Sequence, residues 1–83
     1  MIVRVELPER WDTVAFDLRA AIPMLDLKRA ALAEFGLGNA FPEDYVLKLR
    51  GFEVLGELAS VAGSGARAGS TFLLTHRRRR PVR

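Results

Sequence analysis

Few side chains in this 83-residue chain could do chemistry, and their spacing argues against most of it. His76 is the single histidine, and it stands directly before Arg77-Arg78-Arg79-Arg80. It has no carboxylate to orient it and no nucleophile to serve, so it reads as a solvated histidine at the end of a strand. Ser64 and Ser70 lack a histidine–acid arrangement. Gly63-Ser64-Gly65 is an isolated triplet without the Lys-Ser or Lys-Thr that a phosphate loop requires. Glu43-Asp44 is an adjacent acidic pair with no companion carboxylates at metal-ligand spacing. Cysteine does not occur, which removes disulfides, thiolate metal sites and thiolate nucleophiles. These residues point to a chain that binds rather than catalyses, with no cofactor, no metal and no small-molecule substrate.

Two further residues are out of place for a simple pattern. Lys28 falls in the middle of an apolar helical face, where a lysine either snorkels its charge to the rim or enters a partly buried ion pair. Asp44, Glu53 and Glu57 are the acids available for such a pair. A structural role is favoured, since one lysine without a base or a pocket motif is not a site. Trp11 lies in or beside a turn. It is read first as a lid on the end of a hairpin, with an exposed aromatic anchor as the alternative.

The elements that must position these groups follow from periodicity. Met24, Leu27, Ala31 and Phe35 recur at helical spacing, flanked by Leu25 and Leu32. Pro23 sits where a first turn accepts proline and Gly36 where a helix stops, so a helix is expected over Met24 to Phe35. Around it the pattern alternates. Val3, Val5 and Leu7 share one face of a strand from Ile2 to Leu7, with Arg4 and Glu6 on the other. Thr13 to Arg19 alternates again, with Val14, Phe16 and Leu18 inward. A short polar connection joins the two runs into an antiparallel hairpin. After the helix, Tyr45 to Arg50 reads as a strand and Gly51 breaks it. Phe52 to Leu55 is a short return strand, and Thr71 to His76 is the last one. A lone amphipathic helix needs a sheet to lie across, and these segments supply it.

Apolar residues make up 49% of the chain, enough for one small globular domain and too many for a disordered one. No run of eighteen apolar residues and no signal-peptide layout is present, so residence in the cytoplasm is expected. The net charge of +3 is an average of two unlike parts. Five of the thirteen basic residues, Arg77 to Arg80 and Arg83, fall in the last eight positions. Met1 to Thr75 therefore holds eight basic side chains against ten acidic ones, a formal charge of −2. The expected organisation is a near-neutral domain over 1–76 and an arginine-rich, flexible segment over 77–83.

The order hairpin, helix, strand, short strand, strand resembles the β-grasp fold of ubiquitin and its relatives, across nearly the whole chain. The resemblance rests on Leu27-Lys28-Arg29-Ala30-Ala31, Leu47-Lys48-Leu49-Arg50-Gly51, and Leu58 followed by Gly69-Ser70-Thr71-Phe72-Leu73-Leu74 with arginines after it. Phe16-Asp17-Leu18-Arg19 is similar to the YukD-like bacterial branch. The resemblance implies an α+β fold, a mixed four- to five-stranded sheet with one helix across it. It also implies that Lys28 holds the place of a shielded helical lysine. Conjugated members of the family end in Gly-Gly. This sequence reads Arg80-Pro81-Val82-Arg83 there, and Gly-Gly occurs nowhere in it. A covalent modifier with an unusual C-terminus is accordingly the second reading.

The first reading is a non-catalytic module for protein partners. It would use an outer sheet face of Ile2, Arg4, Val46, Lys48, Arg50, Leu73 and Thr75, a mixed apolar and basic surface, together with Arg77, Arg78, Arg79 and Arg80. The resemblance implies that ubiquitin's own readers bind poorly, because Lys48 and Thr75 stand at positions of its apolar patch. An arginine run also attracts nucleic-acid phosphates or an acidic membrane surface. The body offers nucleic acid no basic stripe with interleaved aromatics, which sets both partners below a protein.

Overall fold

The computed structural model describes residues 1–54 and 56–77. Among them are five strands and one α-helix: β1 Ile2–Leu7, β2 Asp12–Asp17, α1 Met24–Glu34, β3 Tyr45–Leu49, β4 Phe52–Glu53 and β5 Thr71–His76. Short 3-10 turns occupy Pro8–Arg10, Pro42–Asp44 and Ala62–Ser64. The sheet order is β2-β1-β5-β3-β4, with β1 and β5 parallel and the remaining neighbours antiparallel. This is the α+β, β-grasp arrangement, a mixed sheet carrying one helix on one face.

The alternation in β1 becomes burial. Val3, Val5 and Leu7 are fully buried and Arg4 between them is exposed. In β5 Phe72 and Leu74 are buried in the same layer. The helix contributes Met24, Leu27, Ala31 and Leu32, and Phe35 closes the stripe from the cap position. Val14, Phe16 and Leu49 pack against this core from its margins.

Both helix ends are satisfied by backbone. The first-turn N–H groups of Met24 and Leu25 donate to Ala59 O and Glu57 O, each at 2.8 Å, in place of a capping side chain. At the other end Gly36 takes φ +76°. Leu37 then donates to Leu32 O and Gly36 to Ala33 O, a Schellman closure with Leu37 folded onto the core.

Three expectations are corrected here. Trp11 is not a lid: it is 89% exposed, in a left-handed conformation at φ 57°, with its N–H on Pro8 O. The 3-10 turn at Pro8–Arg10 uses up the connection, and the residue closing it is turned outward. Arg50 is not in β3. It and Gly51 have φ of 54° and 84°, the two positive values of a type I′ hairpin turn between Leu49 and Phe52. β2 runs over Asp12–Asp17 rather than starting at Thr13, although Leu18 still donates to Met1 O. The return strand is seen as Phe52–Glu53, and its expected end at Leu55 lies outside the described residues.

Candidate outer-face interface

Helix α1 covers one side of the sheet, and strand register fixes what the other side presents. Leu73 of β5 is the centre. It pairs with Glu6 of β1 on one flank and Lys48 of β3 on the other, and Lys48 pairs with Glu53 of β4. Thr13 of β2 completes this row beyond Glu6. A second row holds Ala15, Arg4 and Thr71, and a third holds Thr75 and Val46. Ile2, beside Asp17 at the end of β1, is 51% exposed.

The face is therefore mixed in sign, not apolar and basic as the sequence suggested. Glu6 and Glu53 share the row with Lys48, so charge alternates around the half-buried Leu73. Glu9 adds a third acid, in the cleft that Lys48 and Glu53 also line. Strand parity already put Glu6 on the same side as Arg4. Glu53 required the β3–β4 pairing, which two strand residues and a tight turn do not announce.

Val46 is the second correction to this surface. Its register against Thr75 puts it on the outer side, yet it is only 5% exposed. Arg77 stands beside it in the same cleft. Its N–H donates to Asp44 O at 2.6 Å, and its Nε donates to Glu43 O at 3.2 Å. Its Nη1 stands 3.5 Å from Glu53 Oε2, so the side chain spans from the end of β5 across β3 to β4. Val46 lines the same cleft as Arg77 and Glu53. Arg77, expected at the start of the flexible segment, is thus held to the domain by its backbone and side chain. Arg78, Arg79 and Arg80 lie outside the described residues.

Arg77, Val46, Lys48, Glu53 and Thr75 line a shallow cleft of about 720 Å³, closed on its far side by Pro8, Glu9 and His76. His76 is exposed and rests edge-on against Tyr45, with ring centroids 5.1 Å apart. Arg50 opens instead onto a different groove with Leu49, Phe52, Val54 and Ser64. Of the proposed contact residues, Ile2, Arg4, Lys48, Leu73, Thr75 and Arg77 lie on one accessible face, with Ile2 at one end of it and Thr75 and Arg77 at the other. Val46 forms its floor, and Arg50 leaves it.

Lys28 does not snorkel. It is 1% exposed, with Nζ donating to Tyr45 O at 2.9 Å and to Glu57 Oε2. Of the acids open to it from the sequence, Glu57 is the partner. The pair lies on the helix side, away from the cleft, and ties α1 to β3 and to the loop before Ala59. Among the described residues no group of three or more histidine, cysteine or acidic side chains could hold a metal ion, and no helix is long and apolar enough to cross a membrane.

Comparison with known proteins returns no matching family model and no matching curated protein. Among solved structures, the chain is similar to one in the crystal structure of ATBAG1 in complex with HSP70. The TM-score is 0.75 at 17% identity, over 92% of this chain and 40% of that one. The chain thus spans less than half of that chain's length, and the likeness at this identity is one of fold.

Proposed function

We propose that this chain is a non-catalytic, ubiquitin-like module that binds a protein partner through the outer face of its sheet, with the arginines from Arg77 onward supplying further charge. The carrying observation is the row Glu6–Leu73–Lys48–Glu53: an apolar centre between side chains of opposite sign, on a sheet face that no helix of the described residues covers. Such a surface suits a partner with an apolar side chain for Leu73 and charges of both signs on each flank of it, to oppose Lys48 and Glu53 on the β3–β4 side and Arg4 and Glu6 on the β1 side. Val46 and Thr75 supply the cleft floor beside it. The order of elements and the Lys28 position favour membership of the ubiquitin-like family. The Phe16-Asp17-Leu18-Arg19 run favours its YukD-like bacterial branch, working in the cytoplasm.

The test is affinity. A partner is captured on the intact protein and identified. Its dissociation constant is then measured by calorimetry for the wild type and for Lys48→Glu combined with Leu73→Ala. A loss of about tenfold or more supports the reading, the size expected when a central interface contact costs ~1.4 kcal/mol. An unchanged constant rejects this face.

A further inference from the structure

β2 stands at one end of the sheet order, so one side of its backbone has no strand beside it among the described residues. The phase of its ladder says which groups are left over. Leu18 donates to Met1 O at 2.9 Å, and Ile2 and Arg4 make their bonds on the β5 side, to Gly69 and Ser70. Counting by two from Leu18, residues Phe16, Val14 and Asp12 face β1. Thr13, Ala15 and Asp17 turn their N–H and C=O groups outward.

Natural edges are usually blunted by proline, lysine, a bulge or a covering element. Asp12–Asp17 contains neither proline nor lysine, and its pairing with β1 is continuous. Its inward residues Val14 and Phe16 are only half-buried, at the margin of the core. The edge is thus open in both its hydrogen bonds and its apolar contacts.

We infer that this edge takes a second copy of the same chain, β2 against β2, antiparallel about a two-fold axis at Ala15. The strand is complementary to itself in that register. Ala15 faces Ala15 of the second copy, the smallest side chain meeting itself at the axis. Thr13 faces Asp17, so the Asp17 carboxylate, 3.5 Å from the Met1 ammonium, meets a hydroxyl donor rather than another acid, and Asp12 faces Leu18. Val14 faces Phe16, and the two half-buried apolar residues cover each other. All the outward-facing backbone groups of Thr13, Ala15 and Asp17 find partners. Beyond the strand ends, the exposed Trp11 is brought towards the exposed Arg19 of the second copy, a cation over an indole. An extended segment of another protein could use the same hydrogen bonds. It would not explain the Thr13–Asp17 and Trp11–Arg19 matches.

The experiment exploits the absence of native cysteine. Hydrogen-bonded antiparallel partners have Cα atoms ~5.5 Å apart, within disulfide range. Ala15→Cys is expected to form a disulfide dimer under mild oxidation. Thr13→Cys alone should not, and Thr13→Cys mixed with Asp17→Cys should cross-link to each other. Sedimentation equilibrium of the wild type should show mass rising from 9.2 kDa towards twice that value with concentration. Ala15→Pro should stay monomeric with an unchanged circular dichroism spectrum, because the N–H it removes bonds nothing within the chain. A wild type that is monomeric at every concentration would overturn the inference. So would Val14→Cys cross-linking to itself in preference to Ala15→Cys, or an added extended peptide binding an edge that does not self-associate.

Discussion

Lys28 and Glu57 form an ion pair in which the ammonium is almost wholly buried and the carboxylate is about one-third accessible. Glu57 is also the residue whose carbonyl receives the Leu25 N–H in the first turn of α1. One residue thus closes the helix N-terminus through its backbone and neutralises a core lysine through its side chain. Removing the carboxylate leaves a charge in the core with only the Tyr45 carbonyl to hold it. Glu57→Ala is expected to destabilise the fold by about 3 kcal/mol, the usual cost of orphaning a buried ion. Lys28→Met, which fills the same volume without charge and lets Glu57 turn to water, should cost far less. Urea denaturation midpoints of the two variants check this ordering, and equal losses would refute it.

Arg10 donates from Nη1 to Phe35 O at 2.8 Å, linking the β1–β2 connection to the C-terminal cap of α1. A cation on an unsatisfied helix carbonyl is favourable both as a hydrogen bond and against the helix dipole. Arg10→Ala should lower stability by about 1 kcal/mol. It should also raise amide exchange at Trp11 and Gly36 more than in β5. Uniform exchange changes across the domain would argue against this local tie.

Much of this architecture is legible in the sequence, and most of the parts that are not share one cause. Pro23 and Gly36 bracket α1 to within a residue, because helix ends are set by local backbone chemistry. β1 and β5 follow from alternation alone. The misread residues depend on groups distant in sequence. Val46 is buried in a cleft that it shares with Arg77, a residue remote from it in the sequence. The partner of Lys28 follows from where the loop before Ala59 is placed, which periodicity does not encode. The mixed sign of the outer face needed the pairing of Glu53 with Lys48. Trp11 and Arg50 are different: each sits in a left-handed turn conformation at φ 57° and 54°, one that bulky residues seldom adopt.

The Arg77–Glu53 contact is between partly exposed groups, so it should add little to stability. Arg77→Ala is expected to shift the urea midpoint by the equivalent of less than about 1 kcal/mol. Its effect should instead be on access. The Val46 methyl groups should become open to a soluble paramagnetic probe while those of Val5 stay protected. If Val46 remains shielded in the variant, something other than Arg77 covers it.

Two leucines set the inside of the domain apart from its outside. Leu74 is fully buried between sheet and helix and Leu58 is 85% exposed. Leu74→Ala should cost about 3 kcal/mol by lost burial and cavity formation. Leu58→Ala should cost under about 0.5 kcal/mol, as surface changes do. Thermal melts of both variants suffice to check the assignment of inside and outside.

The outer face is tested most directly by nuclear magnetic resonance. An isotope-labelled sample is titrated with the captured partner, and backbone amide shifts are mapped. The largest changes are expected at Glu6, Lys48, Leu73 and Thr75, with α1 unmoved. Changes concentrated on α1, with Leu73 and Lys48 silent, would contradict the proposal that this chain works through the uncovered side of its sheet.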